Sequence, residues 1–294
     1  MFDGTTMSGS IDDMVAVAGS SGDQAAGLRS ILKRRVLRVV PFLNTGDAAA
    51  QGAAAALLAR EFAAAGSRTV LLDEAGSALR ALGLKPQHDL LALVDGELEF
   101  DNVAIEANPQ LRCVAAGAGL PALIAADAAG EPFFAGFLRL ATPAETLVVN
   151  LAGTACASGA PWLPIFDAPA TVLLVVGTGA RDLTGAYAAI KQANAGATAQ
   201  PLFRVLVNGA ANEREARALA GKIAAAAQRF LGARVMYAGF VPVTAGGAPL
   251  GRALASQRHP EAAQAISQLS RDIAGWQLAE CAIDDPESFL PNQE

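Results

Sequence analysis

Histidine and cysteine are scarce in this chain of 294 residues, with two of the first and three of the second. Cys113, Cys156 and Cys281 stand far apart, in no metal-ligand spacing and in odd number. That pattern argues against a structural zinc site or a disulfide framework, and makes a reducing cytoplasm the expected compartment. His88 and His259 lie near neither each other nor a cysteine pair, so neither suggests a ligand set or a catalytic base. Charge is also sparse, at 17% of residues, and the 28 acidic against 22 basic groups leave a net charge of −6. That sign works against non-specific attraction to nucleic acid or anionic lipid, so the expected partners are proteins or small molecules, with membrane association weak or absent. No apolar run reaches the roughly 18 residues that a membrane-spanning helix needs. The first residues, with Asp3, Asp12, Asp13 and many Gly and Ser, lack the basic and apolar regions of a secretory signal. They read as a disordered leader over residues 1–22.

Alanine is what the chain has in excess, and it carries much of the 52% hydrophobic fraction. From Val36 onward, short β-branched or leucine-rich runs alternate with longer alanine-rich stretches, the pattern of βαβ units around a buried parallel sheet. Strands are expected at Val36–Leu43, Thr69–Asp73, Leu111–Ala115, Leu147–Leu151, Thr171–Val176, Phe203–Asn208 and Arg234–Phe240. Helices are expected at Ala48–Ala65, Leu183–Ala193, Asn212–Leu231 and Pro260–Leu278. Gly66 and Gly232 stand where a left-handed residue commonly closes a helix. The expectation is one α/β domain, doubly wound and mostly parallel, over residues 36–280. An interaction helix and basic connector over 23–35 precede it, and a tail over 281–294 follows.

The first strand runs through Asn44-Thr45-Gly46-Asp47 into a long helix, which leads past Gly66 to Thr69-Val70-Leu71-Leu72-Asp73. Proteins that cradle phosphates on glycine amides do so at such a strand–turn–helix junction. The arrangement resembles the first βαβ unit of the MinD/ParA family of P-loop ATPases, which reads strand, KGGxGKT, helix, Gly, strand, LLDxD. Aligned from Asp73 backward without a gap, the family loop falls on Gly46, Asp47, Ala48, Ala49, Ala50, Gln51 and Gly52. The signature lysine then falls on Gly46, the phosphate-binding lysine on Gln51 and the magnesium-binding hydroxyl on Gly52, while Asp47 adds a negative charge beside the site. Asp73 matches the first carboxylate of LLDxD and Ala75 replaces the second. Asn150 stands where the family's Walker B aspartate is expected, and an amide cannot supply the charge a metal site uses. Asn208 matches the position at which relatives read adenine; its plainer reading is an asparagine that ends a strand and turns into Gly209. The resemblance thus implies a fold that binds ATP and magnesium in the family, and a nucleotide site degenerate at Gly46, Asp47, Gln51, Gly52, Asp73, Asn150 and Asn208. No cofactor and no catalytic residue are expected here.

Upstream, Asp23-Gln24-Ala25-Ala26-Gly27-Leu28-Arg29 is similar to the DQAxxLR motif of the FlhG (FleN) flagellar number regulators. Asp23 suits a helix N-cap, and Leu28, Ile31 and Leu32 make an apolar face fit for a groove. In that branch the segment engages the GTPase FlhF and stimulates hydrolysis, so the resemblance implies partner-binding roles for Asp23, Gln24, Leu28 and Arg29. Further segments follow the branch in order: Leu82-Gly83-Leu84-Lys85-Pro86, Leu111–Gly117, Thr184–Lys191, Arg229-Phe230-Leu231, Tyr237–Pro242 and Gln257-Arg258. Ile266, Leu269, Ile273 and Trp276 form a stripe with Arg271 as the only cation of its stretch, which suits packing on the domain better than a membrane surface. Lys33-Arg34-Arg35 with Arg38 reads as a solvated connector or a contact for an acidic partner. Cys156 and Ser158 lack the glycine pattern of a nucleophile elbow. The implied role is a non-hydrolysing regulator of a flagellar GTPase, with a transcription regulator or basal-body protein as a further partner and polar placement through partners. Two other readings stand beside it: an active ATP-dependent switch, and a scaffold for another polar assembly such as secretion or exopolysaccharide machinery.

Overall fold

The alternation of apolar runs and alanine-rich stretches folds into an α/β protein with a mostly parallel sheet flanked by helices. The computed structural model describes residues 35–128, 144–152, 171–196, 200–244, 250, 260–276 and 278–283. They fall into a body of Leu37–Cys281 and a unit of the chain ends, Met1–Val36 with Ala282–Glu294. The described residues of the latter, 35–36 and 282–283, are strand termini.

In chain order the elements are β1 (Arg35–Leu43), α1 (Ala48–Ala64), β2 (Thr69–Asp73), α2 (Ser77–Ala81), α3 (Leu91–Val94), α4 (Phe100–Val103), β3 (Ile105–Asn108), β4 (Leu111–Ala115) and α5 (Gly119–Ala128). Then come β5 (Thr146–Asn150), β6 (Thr171–Val176), α6 (Ala180–Gly196), β7 (Leu202–Ala210), α7 (Glu213–Leu231), β8 (Arg234–Pro242), α8 (Pro260–Ile273) and β9 (Ala279–Ile283). The sheet order is β3-β4-β2-β5-β1-β6-β7-β8, in which only the β3–β4 pair is antiparallel. β2, β5 and β6 are buried along their whole length, as strands covered on both faces must be, which is why their sequences read as continuous apolar runs.

Right-handed crossovers put α1 on one face of the sheet and α6 and α7 on the other, since β1 to β2 runs one way along the order and β6 to β7 to β8 the other. α8 returns to the face of α1, where Ile266, Leu269 and Ile273 join its alanines in one core cluster. The expected stripe therefore packs on the domain, and Trp276 extends it by stacking 3.9 Å from the Arg204 guanidinium. None of the described helices is long and apolar enough to cross a membrane.

Element boundaries shift in physically readable ways. β7 continues two residues past Asn208 to Ala210, so Asn208 does not end its strand; Gly209 accommodates a positive φ of 86° within it. α6 starts at Ala180 because Asp182 accepts from Gly179 N at 2.9 Å, closing a turn ahead of the expected start. α8 stops at Ile273, before the Gly275 turn. Asn212 caps α7, accepting from Glu215 N, and Gly66 and Gly232 take the left-handed conformations expected of them. β3, β9 and the helices α2 to α5 were not legible: α2, α3 and α4 have five, four and four residues, β3 is half exposed, and α5 (Gly119–Ala128) is apolar on most of its positions and so shows no periodic face.

Candidate functional site

The carboxyl ends of β2, β5 and β1 lie side by side, with Asn150 opposite Asp73 on one side and Phe42 on the other. In open α/β sheets this edge is where ligands bind, because helices start and loops gather there. Here it holds a buried polar network. Asn150 Nδ2 donates to Asp73 Oδ1 at 2.6 Å and to Ser77 Oγ at 3.0 Å, while its Oδ1 accepts from Gln51 Nε2 at 2.7 Å. Gln51 Nε2 also donates to the Leu151 carbonyl at 2.8 Å. Asp73 Oδ2 accepts from Leu79 N at 2.7 Å. Exposure of Gln51, Asp73 and Asn150 is 1%, 1% and 0%. The network contains one carboxyl group and no cation. Burial pushes the Asp73 pKa up, against the pull of hydrogen bonds from Leu79, Asn150, Ala78 and Gly76.

The turn before α1 is closed by its own side chains. Gly46, at φ 117°, donates its N–H to Asn44 Oδ1 at 2.8 Å. Asp47 caps α1: its Oδ1 accepts from Ala50 N at 2.9 Å and its carbonyl from Gln51 N at 3.1 Å. The charge of Asp47 thus sits at the positive end of the α1 dipole, the place a helix N-terminus offers to an anion. Because α1 begins at Ala48, the backbone of 48–52 is helical, and its amides run along the helix axis instead of wrapping round a ligand.

Two glycines let neighbouring chain close on this turn. β2 passes through Glu74–Gly76 directly into α2, which brings Ser77 against α1 at Gly52. A Cβ on Gly52 would overlap the Ser77 hydroxyl and lie 2.5 Å from its carbonyl carbon. On the other side α6 touches the Thr45 carbonyl, which a Cβ on Gly185 would overlap. Thr45 Oγ1 in turn donates to the Val175 carbonyl at 2.5 Å, tying the turn to β6.

Of the residues singled out by sequence, Gln51, Asp73 and Asn150 come together in the network, and Gly46, Asp47 and Gly52 surround it. Asn208 does not join them, since β1 and β6 stand between β5 and β7. It is 2% exposed and its Oδ1 has no hydrogen-bond partner among the described residues. Asp23, Gln24, Leu28 and Arg29, and the Cys156–Ser158 pair, lie outside the described residues. Sequence reasoning missed Ser77, Thr45, Glu74 and Gly185. Glu74 is buried and accepts from Ala152 N at 2.7 Å, fastening the β2 exit to the β5 exit. A short β2–α2 connection was the one available signal for Ser77.

Comparison with solved structures decides the architecture. MinD from Aquifex aeolicus aligns over 82% of this chain and 98% of its own, with a TM-score of 0.55 at 16% identity. The fold is MinD/ParA-like. A ParA family ATPase from Chlorobium tepidum gives a TM-score of 0.55 at 14% identity, over 80% of this chain and 97% of its own. Among curated proteins, the antiactivator FleN of Pseudomonas aeruginosa is 30% identical over 189 residues, which span 63% of this chain and 66% of FleN. The match thus covers slightly less than two thirds of that relative. No family model matches the chain. In the MinD/ParA-like fold the network stands at the strand ends next to the turn between β1 and α1, the place where sequence reasoning put the family's phosphate loop.

Proposed function

We propose that this chain is a FlhG/FleN-like regulator of flagellar number or placement, which works as a pseudo-ATPase and engages a FlhF-type GTPase through the segment starting at Asp23. The observation that carries the reading is the neutral amide network of Gln51 and Asn150 around the buried Asp73. A magnesium triphosphate needs cations and aimed amide donors, because phosphoryl transfer is mostly positioning and charge neutralisation. Gln51 spends its Nε2 on Asn150 and the Leu151 carbonyl, Asp47 takes the α1 N-terminus, and Ser77 lies against Gly52. These residues do not fit ATP and magnesium. The 30% identity to an antiactivator named FleN and the DQAxxLR-like segment supply the flagellar part of the reading.

In this reading the protein is cytoplasmic, reaches the pole through partners, and offers its folded face to a transcription regulator or basal-body protein. Equilibrium titration with a fluorescent ATP analogue and magnesium tests the first half: no saturable binding is expected, and micromolar affinity would restore the ATP-dependent switch. The second half is tested with Gln24→Ala, which should abolish stimulation of the GTPase while circular dichroism stays unchanged. Undiminished stimulation by that variant would remove the flagellar assignment.

A further inference from the structure

The sheet ends at β8, which among the described residues pairs with β7 alone. Edge strands usually carry charges or proline that discourage pairing. β8 has Arg234 at its start and Pro242 at its end, but from Val235 to Val241 no residue is charged. A cavity of about 630 Å³ runs beside this stretch, lined by Tyr237 and Phe240 of β8, by Glu213 of α7 and by Glu261, Leu269 and Asp272 of α8. Since α7 and α8 cover opposite faces of the sheet, a cavity that touches both and the strand between them lies along the edge that is unpaired among the described residues.

We propose that this edge takes up a short, extended, basic polypeptide segment of a partner protein as an added strand. The backbone groups of β8 would supply the ladder, and the cavity would receive alternate side chains. Charge selects the occupant. Of the two guanidiniums that line the cavity, Arg217 is held by Glu213 at 2.7 Å and lies 4.6 Å over the Tyr237 ring. The other, Arg271, donates to Gln268 at 2.7 Å. With Glu213 paired to Arg217 and Asp272 accepting from Gln268 at 2.8 Å, the lining keeps an excess of one negative charge, three carboxylates against two guanidiniums, which suits Lys or Arg on the incoming segment. A second copy is disfavoured by the same charges, because edge-to-edge pairing would bring both sets of carboxylates together on chains of net charge −6 each. The bulge at Ala238, where the register between β7 and β8 shifts, limits the ladder to a few residues on either side.

The test uses the full chain and an end-blocked nine-residue peptide that alternates valine and lysine. Fluorescence anisotropy should give micromolar binding, with slowed hydrogen exchange of β8 backbone amides. A peptide with glutamate for lysine, and one with proline for alternate valines, should each bind at least tenfold more weakly. So should the lysine peptide to a Glu261→Lys, Gln264→Lys variant, whose two positions are exposed. Equal binding of the proline peptide, unchanged exchange at β8, no effect of the charge variant, or no binding at all would overturn the proposal. Self-association with β8 protection would overturn it in favour of a second copy.

Discussion

Asn150 accepts from Gln51 and donates to Asp73 and Ser77, so three elements depend on one side chain. Asn150→Ala leaves Asp73 Oδ1 and the Gln51 amide short of partners in a dry interior, and should cost about 2–4 kcal/mol in urea unfolding. Asn150→Asp is expected to behave differently with pH. A buried acid whose folded pKa lies above the unfolded value, here 3.8 for Asp73, stabilises most when protonated. Its contribution therefore falls as pH rises from the unfolded value through the folded one. A second carboxyl in contact with the first deepens that slope, so Asn150→Asp should be near wild-type stability at pH 4 and about 2–4 kcal/mol less stable at pH 7. Parallel pH profiles would show that the two groups do not interact. Cys113 lies nearby in β4, and burial, with a smaller contribution from the Asp73 charge, pushes its thiol up to about 12. In a Cys156→Ser, Cys281→Ser background it should resist thiol reagents at pH 9 until the chain is unfolded.

At the scale of elements, α1 is alanine-rich because it has neighbours on several sides: the sheet, α2 and α8 crowd it, and large side chains would not fit. Its helical nature was readable from propensity, and the cap that Asp47 makes at its start is a finding of the structure. The contact that gives Gly52 its role was not, since Ser77 is remote in sequence and belongs to a five-residue helix with no periodicity to detect. Gly185 illustrates the same point on α6. Gly185→Ala should force α6 away from the Thr45 carbonyl and lower stability by about 1–3 kcal/mol, read as a fall in Tm. An unaffected Tm would mean that the β1–α1 turn yields easily. α8 was legible as an amphipathic stripe, but its seat on α1 came from the topology.

At the scale of the whole molecule, the turn before α1 is packed between the Ser77 turn and α6. On the proposed reading, Gln51→Lys, Gly52→Thr, Asn150→Asp should not confer ATP binding, because the Ser77 turn and the α6 contact at Gly185 would remain. Titration with the same fluorescent analogue checks this, and micromolar binding would show that side-chain identity alone decides.

Composition and hydrophobic pattern by themselves determined an α/β fold with a buried parallel sheet, since burial on both faces leaves a local imprint of unbroken apolar runs. They also determined which residues occupy the strand-end positions of the first βαβ unit. Only the tertiary structure decided that Gln51 and Asn150 join Asp73 and Ser77 in one network, with Gln51 Oε1 left without a partner among the described residues, that Asn208 stands apart, and that β8 pairs with β7 alone among the described residues. Those outcomes depend on strand order and on approaches between segments up to 140 residues apart, such as Gly185 to Thr45, and contacts at that separation leave no periodic trace in the chain.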